Sequence, residues 1–187
     1  MSDDRHRIVI KEFFPFPTLY TERLVLRRLT ENDWPSVYLI RNDESINRYI
    51  GRNKHSTKED VLKFIEQINT NILTGSSVYW AVCKKNESDL IGTICLWNFS
   101  EDQKTAELGY ELLPAHQKMG FMREAVSKVI HYGLHDLGLL SIHANSHKDN
   151  RRSTRLLEQF GFREIKDKSD QDFPGSIFFE LAASDIT

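Results

Sequence analysis

At 187 residues the chain fits one domain, given the usual ~100 to 200 residues per domain. Its 40% apolar, 28% charged and 11% aromatic residues exclude a disordered, collagenous or coiled-coil protein. Lysine and arginine number 25 against 27 acidic residues, a net charge of −2, so no global positive field draws the chain to nucleic acid or an anionic membrane. Any anion has to be bound by local groups.

Cys83 and Cys95 stand alone in apolar runs, which gives neither a disulfide framework nor a CxxC metal pair. The chain shows neither the basic-then-apolar order of a signal peptide nor an apolar stretch near the ~18 residues of a membrane span. A cytoplasmic protein is expected, and the sequons at Asn86 and Asn98 read as chance matches.

Residues 1–20, with Phe13, Phe14, Pro15, Phe16 and Pro17, read as an extended N-terminal extension laid on a single domain of residues 21–187. Leu24, Leu26 and Leu29 mark a short strand. Thr30 with Asp33 three residues on predicts a helix to about Arg41. Thr57 and Asp60 repeat the capping pattern, and Val61, Phe64, Ile65, Ile68 and Ile72 predict an amphipathic helix stopped by Gly75. Residues 78–83, 90–97 and 105–113 then read as a three-stranded meander ended by Pro114. Gly120 introduces a helical pattern closed by Gly138, residues 139–144 read as a buried strand, and 150–160 as a short basic helix ended by Gly161. Two terminal strands, 162–165 and 177–181, flank a polar segment at 166–175. This order predicts an α/β (α+β) fold with a partly antiparallel sheet.

Residues 106–125 carry the most chemistry. A strand ends, a polar loop with Gly120 follows, and a helix starts at once. Its free first-turn amides and positive dipole end suit a pyrophosphate, with Lys118 and Arg123 adding charge. The loop is neither Walker A nor GxGxxG, so nucleotide hydrolysis and dinucleotide redox chemistry lack their signatures. An ordinary strand-to-helix connection carries the same glycine. Likewise Asn150 and Ser153 project from one helix end toward a neighbouring strand, or simply cap the helix. His131 and His135 are spaced i, i+4, and His143 and His147 flank a strand end. The glutamate of HExxH is missing and no third ligand is evident, so no metal is expected. Trp34, Trp80 and Trp97 have no accompanying basic stripe and read as core or cleft-wall aromatics, not a nucleic-acid platform.

Thr21-Glu-Arg-Leu-Val-Leu-Arg-Arg-Leu, Ala106-Glu-Leu-Gly-Tyr, Gln117-x-x-Gly120-x-Met122 with Glu124-Ala125, and Asn150-x-x-Ser153 ending in Gly161-Phe162 together resemble the GNAT superfamily of acyl-CoA N-acyltransferases. They are most similar to its ribosomal-protein N-terminal acetyltransferase-like branch, over about Thr21 to Leu181. The resemblance implies a mixed, mostly antiparallel twisted sheet with helices on both faces. Two splayed parallel strands, 105–113 and 139–145, would form the acetyl-CoA cleft. It implies that Leu112 and Leu113 offer backbone groups to the pantetheine arm. Gln117, Lys118, Met119, Gly120, Phe121 and Met122 would cradle the pyrophosphate, and Asn150 and Ser153 would line the other wall. Lys118 and Met119 stand where the family usually shows a glycine and a basic residue, which implies a stiffer loop. Met122 replaces a small residue.

The resemblance also implies amine attack on a thioester, which needs a base for the amine, stabilisation of the oxyanion and an acid for the sulfur. Glu107 sits where several relatives carry a general-base glutamate acting through water, and burial would raise its pKa. Glu111, at period two on the same face, is a rival, and Asp172 is a further candidate. Ser153 is the candidate acid. Tyr110 ranks behind it because a regular strand turns Tyr110 away from Glu107, although a bulge, usual there in the family, would change that parity. The expected activity is acetyl transfer from acetyl-CoA to a primary amine, foremost the N-terminal α-amine of a ribosomal protein or peptide. A small-molecule amine acceptor (polyamine, amino acid or antibiotic) and a catalytically idle CoA-binding module are the rivals. Neither direct nucleic-acid binding nor membrane attachment is expected, and the protein is expected to be a monomer or homodimer.

Overall fold

The computed structural model describes residues 13–52, 57–166, 168 and 173–186. Strands β1 (Leu19–Tyr20), β2 (Leu24–Arg28), β3 (Ser77–Lys84), β4 (Leu90–Trp97), β5 (Thr105–Leu112), β6 (Ser141–His147), β7 (Arg163–Glu164) and β8 (Ser176–Ala182) form one sheet. Their spatial order is β1-β2-β3-β4-β5-β6-β8-β7. The helices are α1 (Trp34–Asn42), α2 (Glu44–Asn47), α3 (Lys58–Leu73), α4 (Phe121–His131) and α5 (Arg151–Gln159). Among the described residues, no helix is long and apolar enough to cross a membrane.

Strand β3 shows why helices cover both faces. Side chains alternate along a strand, and here Trp80 and Val82 join one apolar cluster while Ala81 and Cys83 join the other. The second cluster holds Val37 and Ile40 of α1 with Val61 and Ile65 of α3. The first holds Ala125, Val126 and Val129 of α4 and Leu157 of α5. Each fully buried aliphatic side chain contributes on the order of 1.5–3 kcal/mol. The described part of the N-terminal lead-in belongs to this packing as well. Phe13 is buried, and the Trp80 indole donates to the Pro17 carbonyl at 2.7 Å.

All neighbouring strands run antiparallel except β5 and β6, which pair in parallel from Thr105 to Leu108 against Ser141 to Ala144. Past that point β5 stays with β4 through Leu112, while Asn145 to His147 stay with β8. The two central strands therefore part at Gly109, which is the splay that the family resemblance implies.

The expected helix at 57–75 forms through a full capping box. Thr57 Oγ1 accepts from the Asp60 amide at 3.1 Å, and the Asp60 carboxylate accepts from the Thr57 amide at 2.9 Å. Three local features differ from expectation. Thr30 and Asp33 cap a single 3-10 turn, Glu31–Asp33, before α1 begins with Pro35 in its first turn. Helix α2 is an additional turn capped by Asp43, whose carboxylate accepts from the Ile46 amide at 3.0 Å; four residues are too short to show a periodic pattern. The bulge usual in the family is not in the β4–β5 pairing, whose register is unbroken; the irregularity lies between β3 and β4 at Val82/Cys83. Tyr110 therefore keeps the face opposite Glu107 and Glu111.

Candidate active site

The opening between β5 and β6 exposes backbone in a fixed alternation. The Leu113 amide donates to the Ile91 carbonyl at 2.9 Å. In an antiparallel pair this assigns Leu113, Glu111 and Gly109 to the β4 ladder and turns the N–H and C=O of Leu112 and Tyr110 toward the gap. The Leu113 carbonyl accepts from the His116 amide at 2.9 Å, and the Leu112 carbonyl accepts from the Gln117 side-chain amide at 2.9 Å. Of the two leucines expected to meet a pantetheine arm, Leu112 faces the gap and Leu113 faces back into β4.

Beyond β5 the chain turns through Lys118 and Gly120, with φ of 65° and 79°. Both are left-handed, which is free for glycine and costs a lysine about 1 kcal/mol. A glycine at position 118, which the family resemblance implies, would relieve that cost. Gly120 is the N-cap of α4 and offers no side-chain acceptor. The amides of Phe121, Met122 and Arg123 thus lack intrahelical partners. Met122 buries its side chain in the core, so only its backbone serves the loop. Met119 is exposed.

A cleft of about 680 Å³ runs from α2 across the end of β5 to the first turns of α4 and α5. Its walls carry Arg48, Lys118, Arg123, Arg151, Arg152 and Arg155 against Glu111 and Asp149. Uncapped amides, local cations and a glycine where an added Cβ would come 3.3 Å from the Arg23 guanidinium form a donor set that fits a pyrophosphate. The Arg152 guanidinium bonds the Gln117 side-chain oxygen, so Gln117 ties β5 to α5.

At the mouth of the gap the Tyr110 hydroxyl lies 2.8 Å from Ser153 Oγ. Burial pushes the Tyr110 phenol up to about 12, so it stays protonated at any working pH. Asn150 caps α5 by accepting from the Ser153 amide at 3.3 Å, and it lines the cleft as well. The strand parity that turns Tyr110 away from Glu107 is what brings it to α5.

The two carboxylates of β5 have different surroundings. Glu111 lines the cleft and is held by both Nη atoms of Arg52, one of them at 2.8 Å; Arg52 is in turn fixed by Asn47 Oδ1 at 2.7 Å. Glu107 lies in the still-paired part of the strands, opposite His143, and is not among the residues lining the cleft. Burial pushes its carboxyl above the ordinary range, against the opposing pull of Asn98, Lys168 and His143. Asp172 lies outside the described residues. The ring centroids of His131 and His135 lie 4.5 Å apart with the rings tilted by 41°, and among the described residues no three metal-ligating side chains converge.

The acetyltransferase (GNAT) domain family matches residues 23–163 of this chain. The chain belongs to the GNAT acetyltransferases. It is 33% identical to the uncharacterized N-acetyltransferase YoaA of Bacillus subtilis, over 80% of this chain and 84% of that one. Among solved structures it resembles a ribosomal-protein-S5-alanine acetyltransferase from Vibrio fischeri, with a TM-score of 0.76, 23% identity, and 91% and 99% of the two chains covered. It also resembles Mycobacterium smegmatis RimJ, solved in complex with CoA-disulfide, with a TM-score of 0.78, 15% identity, and 90% and 88% covered. These structural likenesses concern the fold. With its N-acetyltransferase relatives, the family makes this GNAT protein an acyltransferase acting on amino groups.

Several residues of the cleft carry no signal that sequence reading could use. Arg52 meets Glu111 across 59 positions of chain, and Arg152 meets Gln117 across 35. Neither pair has a local spacing rule. Arg48 and Tyr49, which also line the cleft, follow the unforeseen helix α2.

Proposed function

We propose that this GNAT acetyltransferase moves the acetyl group of acetyl-CoA to the N-terminal α-amine of a protein or peptide, of the ribosomal-protein type. Acetyl-CoA supplies an acyl group activated as a thioester. The loop 117–122 and the first turn of α4 bind its pyrophosphate, and the gap-facing backbone of Tyr110 and Leu112 pairs with its amide arm. The amine nitrogen forms the new bond to the acetyl carbon as the carbon–sulfur bond breaks. The Ser153–Tyr110 hydroxyl pair hands a proton to the departing sulfur. Glu107 takes the proton from the amine through water. Among the described residues it is the β5 carboxylate not locked to an arginine, its raised pKa suits a base, and Gly109 at the opening is one pleat away, roughly 7 Å.

The observation that carries the acceptor assignment is the Arg52–Glu111 pair. A polyamine is bound by carboxylates, yet of the two on the cleft walls Glu111 is already paired with Arg52 and Asp149 lies 3.7 Å from His147 Nδ1, while exposed Arg48 lines the same cleft. An α-amine, with a pKa of about 8, is partly neutral at cellular pH and needs no anionic clamp. The similarity to an S5-alanine acetyltransferase points the same way. Thiol release from acetyl-CoA is to be measured with three acceptors: a peptide with a free N-terminus, the same peptide with its α-amine blocked and a lysine retained, and spermidine. Turnover should be confined to the first. Turnover of spermidine above that of the free peptide would overturn the assignment.

A further inference from the structure

Arg23 lies ahead of β2, yet most of its bonds go to the far loop. Its Nη1 donates to the Met119 carbonyl at 2.9 Å and its Nε to Glu124 Oε2 at 2.7 Å. Its backbone amide donates to Glu124 Oε1 at 2.7 Å, and the guanidinium carbon lies 4.6 Å over the Phe121 ring. Thr21 Oγ1 adds a bond to Glu124 Oε1 at 2.5 Å and itself accepts from the Leu24 amide at 2.9 Å. One edge of the sheet thus grips the turn at Met119, Phe121 and Glu124.

The grip falls where the backbone needs it. Met119 sits between the two left-handed residues, Lys118 and Gly120, so its carbonyl marks the middle of the strained turn. Glu124 poses an electrostatic problem as well. A carboxylate in the first turn of α4 suits the helix dipole, but it lies within one turn of the amides that receive an anion. Partial burial pushes its carboxyl up, yet bonds from Thr21 and Arg23 outweigh this and hold it below the ordinary range. The carboxylate is neutralised and anchored on the Arg23 side of the loop.

We propose that Arg23 is a positioning residue for acetyl-CoA, acting through the loop: it fixes the turn at Met119 and cancels the Glu124 charge that would repel the pyrophosphate. This rests on the reading of 117–122 as the pyrophosphate loop. No bond from Arg23 to the acceptor or the reacting atoms is involved, so its loss should weaken cofactor binding and leave the chemical step alone.

The test is calorimetric binding of CoA, with steady-state kinetics and melting curves, on R23M, R23K, R23M/E124Q and G120D. R23M should raise the CoA Kd and the acetyl-CoA KM roughly 10-fold or more, with kcat and the acceptor KM within about twofold of the parent. R23K should fall between the two, because a lysine keeps the charge and loses the fork. R23M/E124Q should bind CoA more tightly than R23M, since the stranded carboxylate is gone. An R23M that binds CoA like the parent overturns the proposal, as does a loss that falls on kcat or on the acceptor KM. A double variant no better than R23M overturns the charge-cancelling role. Should R23M fail to fold, R23K decides by the same KM-against-kcat split, and parental binding by R23K overturns the proposal. G120D keeps the loop and the clamp distinguishable: parental CoA binding by G120D means that the pyrophosphate does not sit on loop 117–122. Loss of binding in G120D with none in R23M removes the clamp alone.

Discussion

The Tyr110–Ser153 hydroxyl pair spans the two walls of the cleft with one hydrogen bond of 2.8 Å. If the pair acts as a unit, its members are not additive. Y110F and S153A should each lower kcat roughly 10²-fold with little change in CoA Kd, and the double variant should be little worse than either single. A double variant whose loss is the product of the singles would separate the two roles. Glu107 makes a pH-dependent prediction. Its carboxyl is raised in the folded protein, so its contribution favours the fold at acid pH and is lost as pH rises through the raised value. E107Q, always neutral, should therefore melt higher than the parent at pH 7, and the gap should close below about pH 4. The same variant should lose roughly 10²- to 10⁴-fold in kcat and its acidic limb, at near-constant acetyl-CoA affinity. An unchanged pH profile would remove Glu107 from the chemistry. At this scale the family resemblance names Glu107 and Ser153, and the strand-loop-helix order marks Gly120. The sequence ranks Tyr110 behind Ser153 because parity says which face a side chain takes and not which helix waits there.

Close backbone approach holds the parting strands in place. An added Cβ at Gly92 on β4 would lie 2.5 Å from the Glu111 carbonyl and 2.8 Å from Leu112 Cδ1 on β5. G92A should cost about 1–3 kcal/mol in denaturant unfolding. It should also raise the acetyl-CoA KM, because β5 is the strand whose far edge is proposed to face the cofactor. Parental stability would mean that β4 and β5 can move apart freely. Element by element, much of the architecture could be read in advance. Helix α3 shows its capping box and its spacing of three and four, and β3 to β5 show alternation bounded by turns. Helix α2 could not be read, being one turn set by a single Asp43 cap. The site of parting could not be derived from pattern either: Thr105 to Leu112 alternates without a break, and pairing with β6 simply stops at Leu108. Only the family resemblance anticipated it.

Across the whole molecule, a chain of net charge −2 still places five arginines and one lysine on the walls of one cleft. On the proposed function, that is how an almost neutral protein binds a polyanionic co-substrate without a global field. On the same proposal, the cationic walls and the Arg52–Glu111 pair favour an amine that arrives singly charged or neutral. The most direct measurement is to incubate the enzyme with acetyl-CoA and a peptide carrying both a free α-amine and an internal lysine, then map the acetyl group by fragment mass spectrometry. One acetyl group is expected, on the N-terminal nitrogen, and none with Y110F/S153A at matched times. Acetylation of the lysine side chain, or a peptide left unmodified by enzyme that binds CoA and turns over a small amine, would contradict it.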